Sequence, residues 1–200
     1  VKDTDGNILW SWHIWCTDVP TDHTYVNSRG TFVVHDRNLG AIRADRGTGD
    51  EWKESVGTYY QWGRKDPFVY GYFTYKGGAL GIQETIASPV IYNSSSDYQW
   101  HSGSNTNLWS RDQKTIYDPC PNGYRISSKD IWCDFTKTGA NTSNKDEMNV
   151  VGDYDNGWNF IYDGQNTAWY PLSGMINNNG YYYNSSYSYI GSADARAGLS

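Results

Sequence analysis

The residues best equipped for covalent or metal chemistry are few and scattered. Three cysteines stand at positions 16, 120 and 133, with His13 just upstream of the first. A Cys–His nucleophile needs the imidazole within reach of the thiol. In an extended segment, positions 13 and 16 point to opposite faces, so catalysis by this pair is not expected. There is no CxxC, and no histidine lies at metal-ligand spacing from a cysteine, which argues against zinc. An odd cysteine count leaves one thiol unpaired or paired beyond this chain. Buried free thiols and a single disulfide both remain open. The run Asp153-Tyr154-Asp155-Asn156-Gly157 sets oxygen donors at alternate positions before a glycine, as at the start of a calcium loop. It lacks the later bidentate glutamate, and an Asp/Asn/Gly turn between strands accounts for the same residues. Asp153 and Asp155 are thus weak candidates for calcium, the one cofactor worth weighing, and the expectation is of no cofactor. Glycoside hydrolysis needs two carboxylates at a set separation. The 22 acidic residues provide pairs but no geometry.

Recognition chemistry is better represented. Asn177 to Tyr189 reads NNNGYYYNSSYSY, with tyrosines in a run and then on alternate positions. No packing period accounts for that pattern. Tyrosine offers a large, rigid contact surface at low entropic cost, and asparagine adds adaptable hydrogen bonds. Tyr181, Tyr182, Tyr183, Tyr187 and Tyr189 are therefore candidate ligand contacts, joined by Asn177, Asn178, Asn179 and Asn184. Trp109, within SGSNTNLWS, is a further candidate if exposed. A polar, Tyr-rich loop of no special role is the plainer reading of the same run.

These candidates need a scaffold, and composition says what kind. The chain has 200 residues with 10 Trp, 18 Tyr, 5 Phe and 21 Gly, and only 19% of residues are charged. That balance favours strands and turns over helices, and the length suits one domain, 1–200. A net charge of −6 and a pI near 5.1 argue against nucleic acid and against anionic membranes. No apolar run reaches the roughly 20 residues of a membrane helix. The opening on Val1 rather than Met suggests a mature or excised fragment of a larger protein.

Ile8–Cys16 (ILWSWHIWC) reads as a strand with Trp10, Trp12 and Ile14 on one face. Residues 31–35 (TFVVH) read as a second strand, and Glu51–Trp62 as room for a short helix. The stretch 69–113 shows no sustained period, so it is either functional loop or a set of short strands. Residues 116–123 form a tight turn region. Ser127–Phe135 is the best helix, capped by serine and with Ile131 and Phe135 on one face. Short strands follow around Trp158–Phe160 and Trp169–Leu172. Trp10, Trp12, Trp62 and Trp132 are expected in the core. Arg37, Arg64, Lys65 and Asp66 are expected to organise buried hydrogen bonds rather than hold ligand.

Five stretches carry a family resemblance: WSWHIWCTD (Trp10–Asp18), DRNLGA (Asp36–Ala41), YYQWGRKDPF (Tyr59–Phe68), KTIYDPCPNGYRISS (Lys114–Ser128) and WYPLSG (Trp169–Gly174). In order and over nearly the whole chain, they resemble the C-terminal domains of Bacteroidales fimbrillin-like and surface-lipoprotein families. They are also similar to the Fibrobacter succinogenes major paralogous domain. The resemblance implies an α+β, C-type-lectin-like fold of the formylglycine-generating-enzyme subtype: a twisted antiparallel sheet, about two helices and long structured loops. It implies an extracellular or outer-membrane location, including a pilus tip, and an adhesin-type role toward a glycan or protein ligand on a host or microbial surface, with pilus subunits as further partners. The Asn/Tyr/Ser run also resembles the variable patch of retroelement-diversified C-type-lectin-like proteins. The enzymes of that subtype bind copper through two cysteines near the chain end. No such pair is present, so oxidase activity is not carried over and the chain is not expected to be an enzyme. The family's later YWSS-like and VR-type strands are not visible, nor is a terminal cysteine for Cys120. A structural pilus subunit and a glycan-cleaving enzyme are the two alternatives.

Overall fold

The computed structural model describes residues 1–69, 71–95, 100–103, 107–138 and 144–183. Among these the chain forms nine short strands, one short helix and three 3₁₀ turns, a mixed and sheet-rich arrangement. Strands β1 (Asp22–Asn27) and β2 (Gly30–His35) make an antiparallel hairpin with Asn27 opposite Gly30. Alternation along β1 sends His23, Tyr25 and Asn27 inward, and Tyr25 is 1% exposed. Strands β3 (Thr74–Gly77) and β4 (Ile91–Ser94) run parallel, joined by a crossover that holds helix α1 (Ile82–Ile86). Strands β5 (Val150–Val151), β6 (Gly157–Ile161) and β7 (Thr167–Pro171) form an antiparallel meander. The Asp163 carboxylate sets its second turn by accepting from the Gln165 and Asn166 amides. Strands β8 (Met175–Ile176) and β9 (Tyr182–Tyr183) close a last small hairpin. No helix among the described residues is long and apolar enough to cross a membrane.

The core is aromatic, as the composition demands. Tyr25, Ile131, Phe135 and Ala168 are buried together, with Phe160, Tyr162 and Tyr170 packed around them. Tyr25 stacks on Tyr162 at 4.9 Å and meets Phe135 edge-on at 5.7 Å. These offset and T-shaped contacts suit the ring quadrupoles. The Tyr25 hydroxyl bonds to that of Tyr170. Trp169 anchors the 3₁₀ turn Glu51–Ser55 to β7 through Nε1 donating to Ser55 Oγ at 2.9 Å.

The charged motif residues organise the loops, as expected. Arg64 is 1% exposed and donates to Gln61 Oε1, Asn93 Oδ1 and the carbonyls of Ser88, Pro89 and Ile91. Lys65 donates to Asp66 Oδ1 and Ser11 Oγ, both at 2.6 Å, and lies over the Trp10 ring. Arg37 bridges Asp36 and Asp18 at 2.7 and 2.6 Å.

Three expectations need correction. Residues 8–16 form no strand; the only bridge there is Lys2 to Ile8. The segment is tethered by alternate side chains instead: Ser11 to Asp66, His13 to Tyr60 and Trp15 to the Ala41 carbonyl. The other face points outward, so Trp12 is 68% exposed and not a core residue. Trp10, Trp62 and Trp132 are half-buried. The helix expected over Ser127–Phe135 shrinks to the 3₁₀ turn Lys129–Trp132. Cys133 is extended and Asp134 has φ of 70°, a combination that stops helix propagation. The Asp134 carboxylate is held there by the Ser28 amide at 2.7 Å. Ile131 and Phe135 still reach the core. The third correction is Trp109, which is 4% exposed with Nε1 donating to the Tyr117 carbonyl at 3.0 Å. It packs near Trp62 and is no exposed contact.

Candidate functional site

The Tyr/Asn run enters the described fold as the β8–β9 hairpin. Asn177 builds its turn. The Asn177 Oδ1 accepts from the Asn179 and Tyr181 amides at 3.0 and 2.8 Å. The Asn177 amide donates to the Tyr181 carbonyl, and the Gly180 amide to the Asn177 carbonyl. Gly180 has φ of +75°, and a Cβ there would stand 2.7 Å from the Tyr75 side chain. Only glycine meets both demands, so the tip is seated against β3. The base is fixed by Tyr182, whose hydroxyl donates to the Ser173 carbonyl at 3.0 Å. Tyr59 donates to the same carbonyl and meets Tyr182 edge-on at 5.8 Å. Burial pushes the Tyr59 phenol well above its ordinary range, so it stays a donor.

This geometry sorts the candidate residues. Tyr181 is 70% exposed and Asn179 is exposed beside it. Asn178 is half-buried. Asn177 and Tyr182 spend their side chains on the turn and the base, so they position the tip rather than face solvent. Tyr183 pairs with Met175 through β9. Asn184, Tyr187 and Tyr189 lie outside the described residues. Sequence reading missed Tyr75, 40% exposed on β3 beneath the tip. Its strand, TYKG, is exposed at every position and so gives no alternating signal.

The calcium candidates do not converge. Asp153 pairs with Lys145 at 2.8 Å, and Asp155 takes both oxygens to Arg46 at 2.6 and 2.9 Å. Those cations hold both carboxyls below the usual range. No cluster of three metal-ligating side chains occurs among the described residues. The cysteines are all free thiols. Cys16 is exposed on the face opposite His13, whose Nδ1 lies 3.0 Å from the Tyr60 hydroxyl. Burial raises the Cys120 thiol far above its ordinary value.

Behind the hairpin runs a cleft of about 1160 Å³. Its walls include β2, the loop around Trp109 to Ser128, and Gly174–Ile176 at the foot of the hairpin. Phe32, Tyr60, Trp62, Tyr124, Trp132 and Tyr170 give it an aromatic lining. Its volume lies just above the roughly 300–1,000 Å³ of common small-molecule pockets, so it has room for a small molecule or a short segment of a polymer. Nothing in the sequence periodicity marks this cleft, because it forms between segments distant in the chain. No protein-family model matches the chain, and neither the curated proteins nor the solved structures include a match.

Proposed function

We propose that this chain is a ligand-recognition domain of a bacterial cell surface or pilus tip, with the β8–β9 hairpin tip as its contact face. One observation carries the reading. The tip is a pre-built turn, held by Asn177 and seated on Tyr75, that leaves Tyr181 and Asn179 in solvent. A rigid loop presenting an aromatic ring and an amide loses little entropy on binding. The ring suits the apolar face of a sugar or an apolar side chain, so a glycan or a protein surface is the ligand class. The finer architecture proposed is C-type-lectin-like; the mixed, sheet-rich arrangement with few helices is compatible with it, and it and the surface location are what the motif resemblance implies. The variable-patch reading rests on the composition of 177–189 and calls for sequencing that segment across clonal isolates.

The test is a binding screen of the domain against glycan and host-surface-protein panels, with calcium and with a chelator. Saturable binding that an Asn179→Ala/Tyr181→Ala variant loses while keeping its melting temperature supports the reading. Binding unchanged in that variant removes it. A second reading, a structural pilus subunit, is favoured by residues 11–18. Their backbone makes no ladder, and they expose Trp12 and Ile14 at 68% and 80%. Such an exposed apolar segment suits contact with a neighbouring subunit, and protection of Trp12 on self-association would favour it.

A further inference from the structure

We propose that the cleft is a second binding site, independent of the hairpin tip, which takes an extended acidic peptide as an added strand on β2. The first observation is a free strand edge. The β1–β2 sheet has two strands only. With Asn27 opposite Gly30 across a two-residue turn, the ladder uses Gly30, Phe32 and Val34. The amides and carbonyls of Thr31, Val33 and His35 therefore point away from β1. None of them bonds to another described backbone group. Thr31 and Val33 are exposed, and Thr31 to His35 all line the cleft. An unpaired edge of this kind is a template for an incoming chain.

The second observation is charge. Arg29, Arg111 and Arg125 line the same cleft. They are brought together by a continuous set of contacts. Arg125 Nε donates to the Arg111 carbonyl at 2.9 Å, and Arg111 pairs with Asp130 at 3.1 Å. Asn27, at the foot of the β1–β2 turn, donates to the Asp130 carbonyl at 2.9 Å, which places Arg29 beside them. Elsewhere the arginines of the described chain are already satisfied. Arg37, Arg43 and Arg46 hold carboxylates, and Arg64 is enclosed by carbonyls and side-chain amides. Arg29 and Arg125 have no carboxylate partner among the described residues. Two guanidinium forks left open beside a free strand edge match carboxylates on a peptide.

Asp22 and Asp112 also line the cleft, and the whole chain carries −6. They would repel a densely charged polyanion, so the occupant carries spaced carboxylates. Alternate positions of an added strand would point their acids at the arginines, which sit on the Phe32 side of the sheet because Asn27 shares that face and holds Asp130. The opposite positions would carry apolar side chains along exposed Val33. A sugar polymer would use the arginines and the rings but leave the strand edge unmet, which is why a peptide is favoured.

The experiment is fluorescence anisotropy with a short alternating valine–glutamate peptide. The comparison probes are its valine–lysine counterpart, the valine–glutamate peptide N-methylated on the alternate amides that would pair, and an oligogalacturonate. The valine–glutamate peptide should bind saturably. The lysine peptide and an Arg29→Ala/Arg125→Ala variant should each weaken binding about tenfold or more, as expected for losing charge-assisted forks. N-methylation should abolish it. Both arginines are exposed, so an unchanged melting curve serves as the folding control for the variant. Equal binding of the N-methylated or lysine peptide overturns the proposal, as does binding of oligogalacturonate alone or no binding at all. Unaltered affinity in the folded arginine variant overturns it too.

Discussion

Arg64→Ala tests what holds the loops around the cleft. The guanidinium is enclosed, with oxygens of Gln61, Ser88, Pro89, Ile91 and Asn93 accepting from it between 2.8 and 3.3 Å. It stacks over Phe68 at 4.7 Å. Burial without a paired carboxylate lowers its pKa to about 10, so at neutral pH it remains a cation. Truncation removes the cation, opens a cavity and strands several buried acceptors at once. Each stranded acceptor costs about 1–3 kcal/mol, and truncating a large buried side chain to Ala about 3–5 kcal/mol through the cavity it leaves. The acceptors share one donor group, so the larger single figure applies rather than a sum. For a domain of this size that is a fall in melting temperature of roughly 6–20 °C. Urea unfolding followed by tryptophan fluorescence reads it directly, since Trp100 lies 5.8 Å from the guanidinium. Arg64→Met keeps most of the volume and should recover part of the loss. A loss under about 1 kcal/mol for Arg64→Ala, or a methionine variant as stable as the parent, would refute the claim that Arg64 ties these loops together.

Three further outcomes follow from the same geometry. Gly180→Ala forces φ of +75° on a Cβ that meets Tyr75, so it should cost at least about 1–2 kcal/mol. Thermal melts should show a drop of roughly 2–8 °C. Burial holds the imidazoles of His13, His35 and His101 below their ordinary value. Below about pH 6.5 the unfolded chain takes up protons that the folded chain resists, so stability should fall on acidification and be complete above that range. His101→Gln should flatten the melting temperature between pH 7 and pH 5; an equal slope would contradict it. Iodoacetamide should label exposed Cys16 in the native protein well before half-buried Cys120, whose raised pKa keeps it a thiol, and unfolding should remove the difference, as peptide mapping will show.

Period-2 patterning was legible where a strand has one wet and one buried face. TFVVH became β2, and the strands read around Trp158 and Trp169 became β6 and β7. The Trp-rich segment 8–16 has the same alternation but is fixed by side-chain hydrogen bonds, which periodicity does not distinguish from a ladder. The face chosen also inverted: Ser11, His13 and Trp15 turn inward, while Trp12 and Ile14 face out. The helix read at 127–135 had a good cap and a good i,i+4 pair. It was overridden by Asp134, whose conformation is set by Ser28 on a distant hairpin. In the candidate site, Asn177 read as a ligand contact, but its side chain is spent on the turn by accepting from the Asn179 and Tyr181 amides, while Tyr181 is exposed as a contact residue must be. Trp109 misled because its polar neighbours say nothing about the Tyr117 carbonyl that binds it. The cleft and its arginines could not be read, because Arg29 and Arg125 come from separate segments that only the fold brings together.

The most direct test of the hairpin face is hydroxyl-radical footprinting of the domain, free and saturated with a ligand from the binding screen. The reading requires strong protection of Tyr181 while Trp12, equally open in the free protein, keeps its reactivity. Unchanged oxidation of Tyr181 in the saturated complex would contradict it.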